Sequence, residues 1–351
     1  MNNLKKLGLS ALAGSLVAVS AQAGEMAVSG SANVTYKTGK TANSSKSIGA
    51  DKDVAFTGTG ELDNGWSFVF KTVLDDAYDV SSSYTALTMG SLGTFTFGTG
   101  TGGVGASYDE ETPQVYEQVS DSLTNSQNIV GDQMGNNAIM YASPSYDIMG
   151  AAINFGAEFS PQASNNAVND GGSVTYSPTI GAGIGLGITG SMSGVTVGVY
   201  GNTIENTAPV VPGVDAAEDS FEGTYYVKYA TGPVSIGYQM SHLDAGKVVA
   251  AEATTVAKVV RTAGGIFEAE TMSIAYNVND DLSVSYSETE DEYNNEATTA
   301  LKVKQKTDAF QVAYSMGSMS IKAYKMETKN PGYDSDAEKL NVTEIALGLA
   351  F

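Results

Sequence analysis

The sequence predicts an all-β fold, a transmembrane antiparallel β-barrel of 16 strands with short turns at one end and long loops at the other. Three observations carry that expectation. Apolar residues alternate with small or polar ones at a period of two through most of the chain, as strands do when one face meets lipid and the other water. Seven short turn-like connections interleave with eight long polar stretches. An export leader precedes the alternating region, and the chain has no cysteine, so neither disulfides nor a thiolate metal site contributes to its stability.

The leader comes first. Lys5 and Lys6 form a positive start, Leu7 to Val19 is apolar and small, and Ala21-Gln22-Ala23 is a small-residue cleavage pattern before Gly24. Residues 1–23 are therefore expected to be a cleaved signal peptide, with the junction at Ala23 and Gly24, and 24–351 a single barrel domain. No other stretch is an apolar run of the roughly 18 residues a transmembrane helix needs.

The expected short connections are Leu62–Gly65, Ser91–Gly93, Ser143–Gly150, Ser191–Gly194, Ala230–Pro233, Asn279–Asp281 and Gly317–Ser318, each built from residues that tolerate tight turns. The long ones are 38–50, 75–82, 100–135, 160–172, 204–220, 244–264, 291–305 and 329–337. An up-and-down chain with both ends on the short-turn side then has 16 strands, and an even count with this asymmetry is the outer-membrane pattern.

Strand faces follow from the alternation. Phe68, Phe70 and Leu74 oppose Ser67 and Lys71; Tyr225, Val227 and Tyr229 oppose Tyr226 and Lys228; Ile236, Tyr238 and Met240 oppose Gly237 and Gln239. Met272, Ile274 and Tyr276 oppose Ser273; Val284 and Tyr286 oppose Ser283, Ser285 and Ser287; Phe310, Val312 and Tyr314 oppose Gln311. The last strand runs Ile345, Leu347, Leu349 and Phe351 against Ala346, Gly348 and Ala350. Segment 318–328 breaks phase, which suggests a bulge, and glycine-rich 172–191 specifies its register weakly. Several tyrosines near strand ends fit an interfacial girdle, with Trp66 as a further anchor.

The formal net charge is −21, and loss of Lys5 and Lys6 with the leader makes it more negative still. This argues against nucleic acid and anionic surfaces as partners and suits an aqueous path attractive to cations. A mean hydropathy of −0.09 does not count against a membrane barrel, whose lipid face occupies every second residue. The acidic run Glu288, Glu290, Asp291, Glu292 and Glu296 lacks calcium-loop spacing and reads as a solvated outer loop. His242, the single histidine, has no partners for catalysis or metal binding. Gly98 to Gly103 is not followed by the Lys-Ser/Thr pair of a phosphate cradle. No cofactor, metal or enzymatic reaction is expected.

Three segments resemble the general diffusion porins of Gram-negative bacteria, a sixteen-stranded trimeric family. They are Asp53–Gly58 with Asn64–Phe70, Ala86–Gly98, and Asn136–Ser145; the terminal Phe351 is similar to that family's assembly signal. The resemblance implies a homotrimer of water-filled pores in outer-membrane lipid and lipopolysaccharide, inserted by the barrel assembly machinery through the C-terminal strand. It also implies a third loop folded into the pore, whose carboxylates face basic residues on the opposite wall. Here that loop carries Asp109, Glu110, Glu111, Glu117, Asp121 and Asp132 without Lys or Arg. Three family arginine positions align with Asp53, Thr99 and Met140, leaving Lys37 and Lys71 as candidate lumen cations.

The resulting expectation is a passive outer-membrane channel for small hydrophilic solutes and cations, its constriction formed by Asp109, Glu110, Glu111, Glu117, Asp121, Asp53, Lys71 and Thr99. The alternatives are a substrate-selective channel, an enzyme on a barrel, and a secreted or surface all-β adhesin. An anion ladder is disfavoured because Arg261 is the sole arginine.

Overall fold

The computed structural model describes residues 24–40, 46–77, 79–119, 134, 138–163, 180–207, 218–244, 246, 265–294 and 303–351. The leader with Ala23, and Asp121 and Asp132 of the third loop, lie outside the described residues; Gly24 lies within them.

The chain runs up and down through one closed antiparallel sheet. The first strands are β1 (Glu25–Lys40), β2 (Lys46–Glu61), β3 (Ser67–Leu74), β4 (Val80–Thr88) and β5 (Thr94–Thr99). Strand β6 has two segments, Ala138–Ala142 and Tyr146–Ile148, and both pair with β7 (Ala151–Ser160). Then come β8 (Gly183–Met192), β9 (Val195–Ile204), β10 (Ser220–Thr231), β11 (Val234–Asp244) and β12 (Ile266–Asn277). The last four are β13 (Leu282–Asn294), β14 (Lys304–Met316), β15 (Met319–Lys329) and β16 (Leu340–Ala350). Each strand pairs with its neighbours in sequence, and β16 pairs with β1 from Ser31↔Ala350 to Lys40↔Asn341, which closes the cylinder. The 17 segments of the sheet thus make the 16 expected strands.

Closure answers a physical requirement. A strand in hydrocarbon has no water to satisfy its N–H and C=O groups, and only a sheet without edges pairs them all. The final residue takes part: the Gly30 N–H donates to the Phe351 carbonyl at 3.1 Å, and the Phe351 N–H donates to Gly30 at 3.0 Å. A side chain at Gly30 would meet the Phe351 ring.

The expected faces are observed. Phe68, Phe70, Tyr225, Val227, Tyr229, Ile236, Met272, Ile274, Tyr276, Tyr286, Phe310, Tyr314, Ile345, Leu347 and Leu349 are exposed, as a lipid-facing band must be in a lone subunit. Between them Ser273, Ser283, Ser285, Ser287, Gln239 and Gln311 point inward and are buried. Four of the seven short turns, at 149–150, 193–194, 232–233 and 317–318, are two-residue hairpins, a length whose favoured turns match strand twist. Met149-Gly150 and Ser193-Gly194 place both residues at positive φ (56° and 84°, 50° and 84°).

Three local expectations need correction. Ser143–Gly150 is not one turn: after Pro144 interrupts the ladder, Tyr146–Ile148 resume pairing with β7 and the chain reverses only at Met149-Gly150. Pro144 has no N–H to donate, so the ladder must skip it. The proposed bulge in 318–328 is absent, since β15 pairs without a slip on both sides. Its phase break arises because Tyr324 and Met326 face inward against a loop rather than water. Glu288, Glu290 and Glu292 are not in a loop but on the outer face of β13, near Lys304 and Lys306 of β14, while Asp291 points inward and is buried.

Deleting Phe351 removes two closing hydrogen bonds, each contributing about 1 kcal/mol. The deletion variant is expected to give less heat-modifiable barrel on unboiled gels and a lower urea midpoint than Phe351→Ala, which keeps the backbone pair. Equal behaviour of the two variants would show that the ring, not the ladder, matters.

Candidate functional site

The third long loop, L3 (100–137), leaves β5 and turns into the barrel. Its described part, to Val119, lies along the inner wall from β7 to β16. Glycines allow the departure: Gly100, Gly102 and Gly103 hold φ of 63°, 70° and 69°. A short 3-10 turn, Gly105–Ser107, follows.

The first anchor is Glu158 on β7, only 3% exposed. It accepts the Val104 N–H at 2.6 Å, and the Tyr200 hydroxyl donates to its other oxygen. Tyr108 then packs on the inner wall, stacked on Tyr200 at 5.4 Å between ring centres and tilted against Tyr226 at 6.3 Å. Its ring fills the space over Gly187, where a Cβ would lie 2.5 Å from it, and the Thr189 hydroxyl donates to the Tyr108 oxygen at 3.2 Å.

Two inward glutamines hold the loop backbone. The Gln239 amide on β11 accepts the Glu111 N–H at 2.7 Å and donates to the Tyr108 carbonyl at 2.7 Å. Gln311 on β14 accepts the Tyr116 N–H at 2.8 Å and donates to the Glu117 carbonyl. Both side chains offer one acceptor and two donors, which suits an extended loop whose N–H and C=O alternate. Between them the Val115 N–H donates to the Ser285 hydroxyl at 3.2 Å.

The far end is a charged and aromatic cluster. The Tyr116 hydroxyl donates to Glu344 on β16, which also pairs with Lys37 at 2.8 Å and accepts from Tyr324 at 3.2 Å. Burial, followed by the Glu344 carboxylate, pushes the Tyr116 phenol well above its ordinary range, so it stays a proton donor at any physiological pH. Lys322 lies over the Tyr116 ring at 5.4 Å, and Val119 is buried with Ala309, Tyr324, Met326 and Val342. Between L3 and the turn-end wall remains a cavity of about 230 Å³ lined by Glu110, Gln114, Thr196, Lys228, Ser235 and Lys322.

The residues singled out in the sequence therefore separate. Asp109, Glu110 and Glu117 are half-buried on the inward-folded loop. Asp53 and Lys71 are inward on β2 and β3, sharing that face with Asp51, Ala55 and Thr57. Glu111 is not a lumen carboxylate: it is 5% exposed and turned onto the wall, where Lys228 on β10 pairs with it. The reason is electrostatic, since a carboxylate buried there is tolerated only with a cation beside it. Thr99 shares the outward face of Phe95 and Phe97 and stands opposite Ser83, so strand register turns it away from the lumen. Strand pleat decides this, whatever an aligned residue does elsewhere. Lys37 is inward, held by Glu344. Sequence reading did not give Gln239, Gln311, Glu158, Glu344 or Lys228 their roles; the available signal was a long polar side chain among serines and glycines on an inward face.

A family model described as Gram-negative porin matches residues 8–343. The chain belongs to this family. Solved structures agree at the level of fold. Salmonella typhi OmpF, in complex with daunomycin, superposes with a TM-score of 0.69 at 12% identity, covering 95% of this chain and 99% of that one. A porin refined at 1.8 Å gives 0.62 at 14% identity over 93% and 100%. An anion-selective porin from Comamonas acidovorans gives 0.64 at 13% identity over 93% and 100%. No curated protein matches the sequence. Family and barrel together make this porin an outer-membrane diffusion channel.

Two outcomes test the loop anchors. Lys228→Met strands the Glu111 carboxylate and is expected to cost about 3–5 kcal/mol of local stability, with faster protease nicking of L3. Glu111→Gln in the same chain restores most of it. Gly187→Val expels the Tyr108 ring and is expected to raise single-channel current noise while the barrel stays heat-modifiable.

Proposed function

We propose that this porin is a passive, cation-preferring channel whose water path runs between the inward-folded L3 and the β1–β5 wall. Hydrogen bonds from Val104, Glu111, Val115 and Tyr116 reach β7 through β16, which supports a passage displaced toward the other side. The observation that carries the charge preference is the pair Asp51 and Asp53 on the inward face of β2, beside Asp75 and Asp76 of the second loop. Of these, Asp53 stands where the family resemblance leads one to expect an arginine. Of the inward lysines, Lys37 and Lys228 are matched by Glu344 and Glu111, while Lys71 on β3 shares the wall with the two aspartates. An anion-selective porin has the same fold, so charge placement and not architecture must decide selectivity.

The same reading makes the protein a homotrimer that catalyses no reaction. One similar structure is a trimer form of Vibrio cholerae OmpT. In support, the outward residues of β2 to β5 include Gly58, Gly60, Thr72, Ser83, Thr85 and Thr99, with a 3.0 Å hydroxyl pair between Thr72 and Ser83. Hydroxyls facing hydrocarbon are unfavourable, whereas a neighbouring subunit can cover them. Residues 1–23 are proposed to be removed on export, and N-terminal sequencing of the outer-membrane form should begin at Gly24.

Reversal potentials across a KCl gradient test the charge reading. The wild-type channel should favour potassium, and Asp51→Asn with Asp53→Asn should lower the permeability ratio several-fold, since one nearby unit charge in water is worth about 1 kcal/mol at 4 Å. An anion preference of the wild type would overturn it.

A further inference from the structure

A second loop enters the barrel. L8 (330–339) joins β15 to β16 and begins with a short turn, Pro331–Tyr333. The chain folds sharply inward there, with Asn330, Gly332 and Tyr333 all left-handed at φ of 48°, 70° and 61°. That region is easy for glycine and unusual for tyrosine, so the surroundings must impose it. They do so on the inner face of β14 and β13. The Gly332 N–H donates to the Gln305 amide oxygen at 2.8 Å, and the Asn330 amide donates to the Lys304 carbonyl at 3.0 Å. Tyr333 is 6% exposed and lies against Tyr293 at 5.9 Å, which in turn stacks on Phe267 at 4.4 Å.

Tyr333, Phe267 and Leu243 belong to the same apolar cluster as Tyr108 and Tyr200 under L3. L8 and the start of L3 are thus packed on one continuous side of the inner wall. Beyond the anchor the loop is polar: Asp334, Ser335 and Asp336 are exposed, and the Asp334 carboxylate caps the Asp336 N–H at 2.9 Å.

We propose that this turn is a second inward-folded element of the channel, narrowing its external mouth in series with L3, with Tyr333 and Gln305 as anchors and residues 334–336 as the rim. This rests on the channel reading but not on cation preference. The acidic rim would favour entry of cations from outside and leave the L3 constriction unchanged. Solutes would then meet two filters with different owners, the outer one set by L8.

The absence of cysteine from the chain makes a direct test available. Ser335→Cys places a single thiol on the rim without disturbing the anchors. In a planar bilayer, externally added sulfonate and trimethylammonium methanethiosulfonates should each lower the single-channel conductance. They should move the KCl reversal potential in opposite directions, the sulfonate toward cations and the trimethylammonium toward anions. Complete modification by mass, with current and reversal potential unchanged, overturns the proposal.

Adding Tyr333→Ala should free the loop and abolish the effect of modification, while an undiminished effect would remove Tyr333 as the anchor. If that variant does not yield heat-modifiable barrel, Gln305→Leu takes its place with the same expectation. The channel reading fails separately, if the unmodified protein conducts no current at all.

Discussion

Backbone hydrogen bonding in a medium without water is the constraint on which this molecule depends. Once every N–H and C=O must be met by another strand, the sheet has to close, and closure fixes which residues see lipid and which see the lumen. Here the seam is the β16–β1 ladder, carried to the final residue by Gly30 and Phe351. All later features are consequences of that two-residue beat. A tyrosine at 225 faces out and a lysine at 228 faces in, for no reason other than parity.

The inward face would be uniformly small and polar if it met only water. It stays small and polar at Ser283, Ser285 and Ser287 of β13, where only the L3 backbone comes near, at Ser285. It is not so where loop side chains pack on it. Tyr324 and Met326 on β15, and Leu243 and Phe267 on β11 and β12, are inward, apolar and buried, because Val119 of L3 and Tyr333 of L8 cover them. A loop that enters the lumen therefore leaves a signature on the wall it covers, in apolar residues where alternation calls for polar ones. Two glutamines, 239 and 311, supply what such a wall still lacks, partners for the backbone of an extended loop.

This explains what could be read from the sequence and what could not. Strand number, lipid face and all the short turns but Ser143–Gly150 were legible because period-two alternation is a local property. The phase break at Ile321 to Met326 was visible too, but it has two physical sources, a bulge or a covered inner face, and only tertiary structure distinguishes them. Charge was legible as a sum and not as a placement. Asp53 and Lys71 do face inward, Thr99 does not, and Glu111 spends its charge on Lys228 across 117 residues of sequence. Pairings of that range leave no mark in spacing.

Placement also bears on how the passage is shaped. L3 lies against the β7–β16 wall by hydrogen bonds from Glu158 to Glu344, and L8 packs into the same side through Tyr333. The described parts of both loops pack on one side of the inner wall, and the proposed eccentric water path rests on that packing. In such a channel the unfilled wall matters most, since permeating ions pass close to it and are screened least by bulk water. On that wall stand Asp51 and Asp53. On the proposed path their effect on ions would depend less on the chain's total charge of −21 than on how closely the loops bring the current to them.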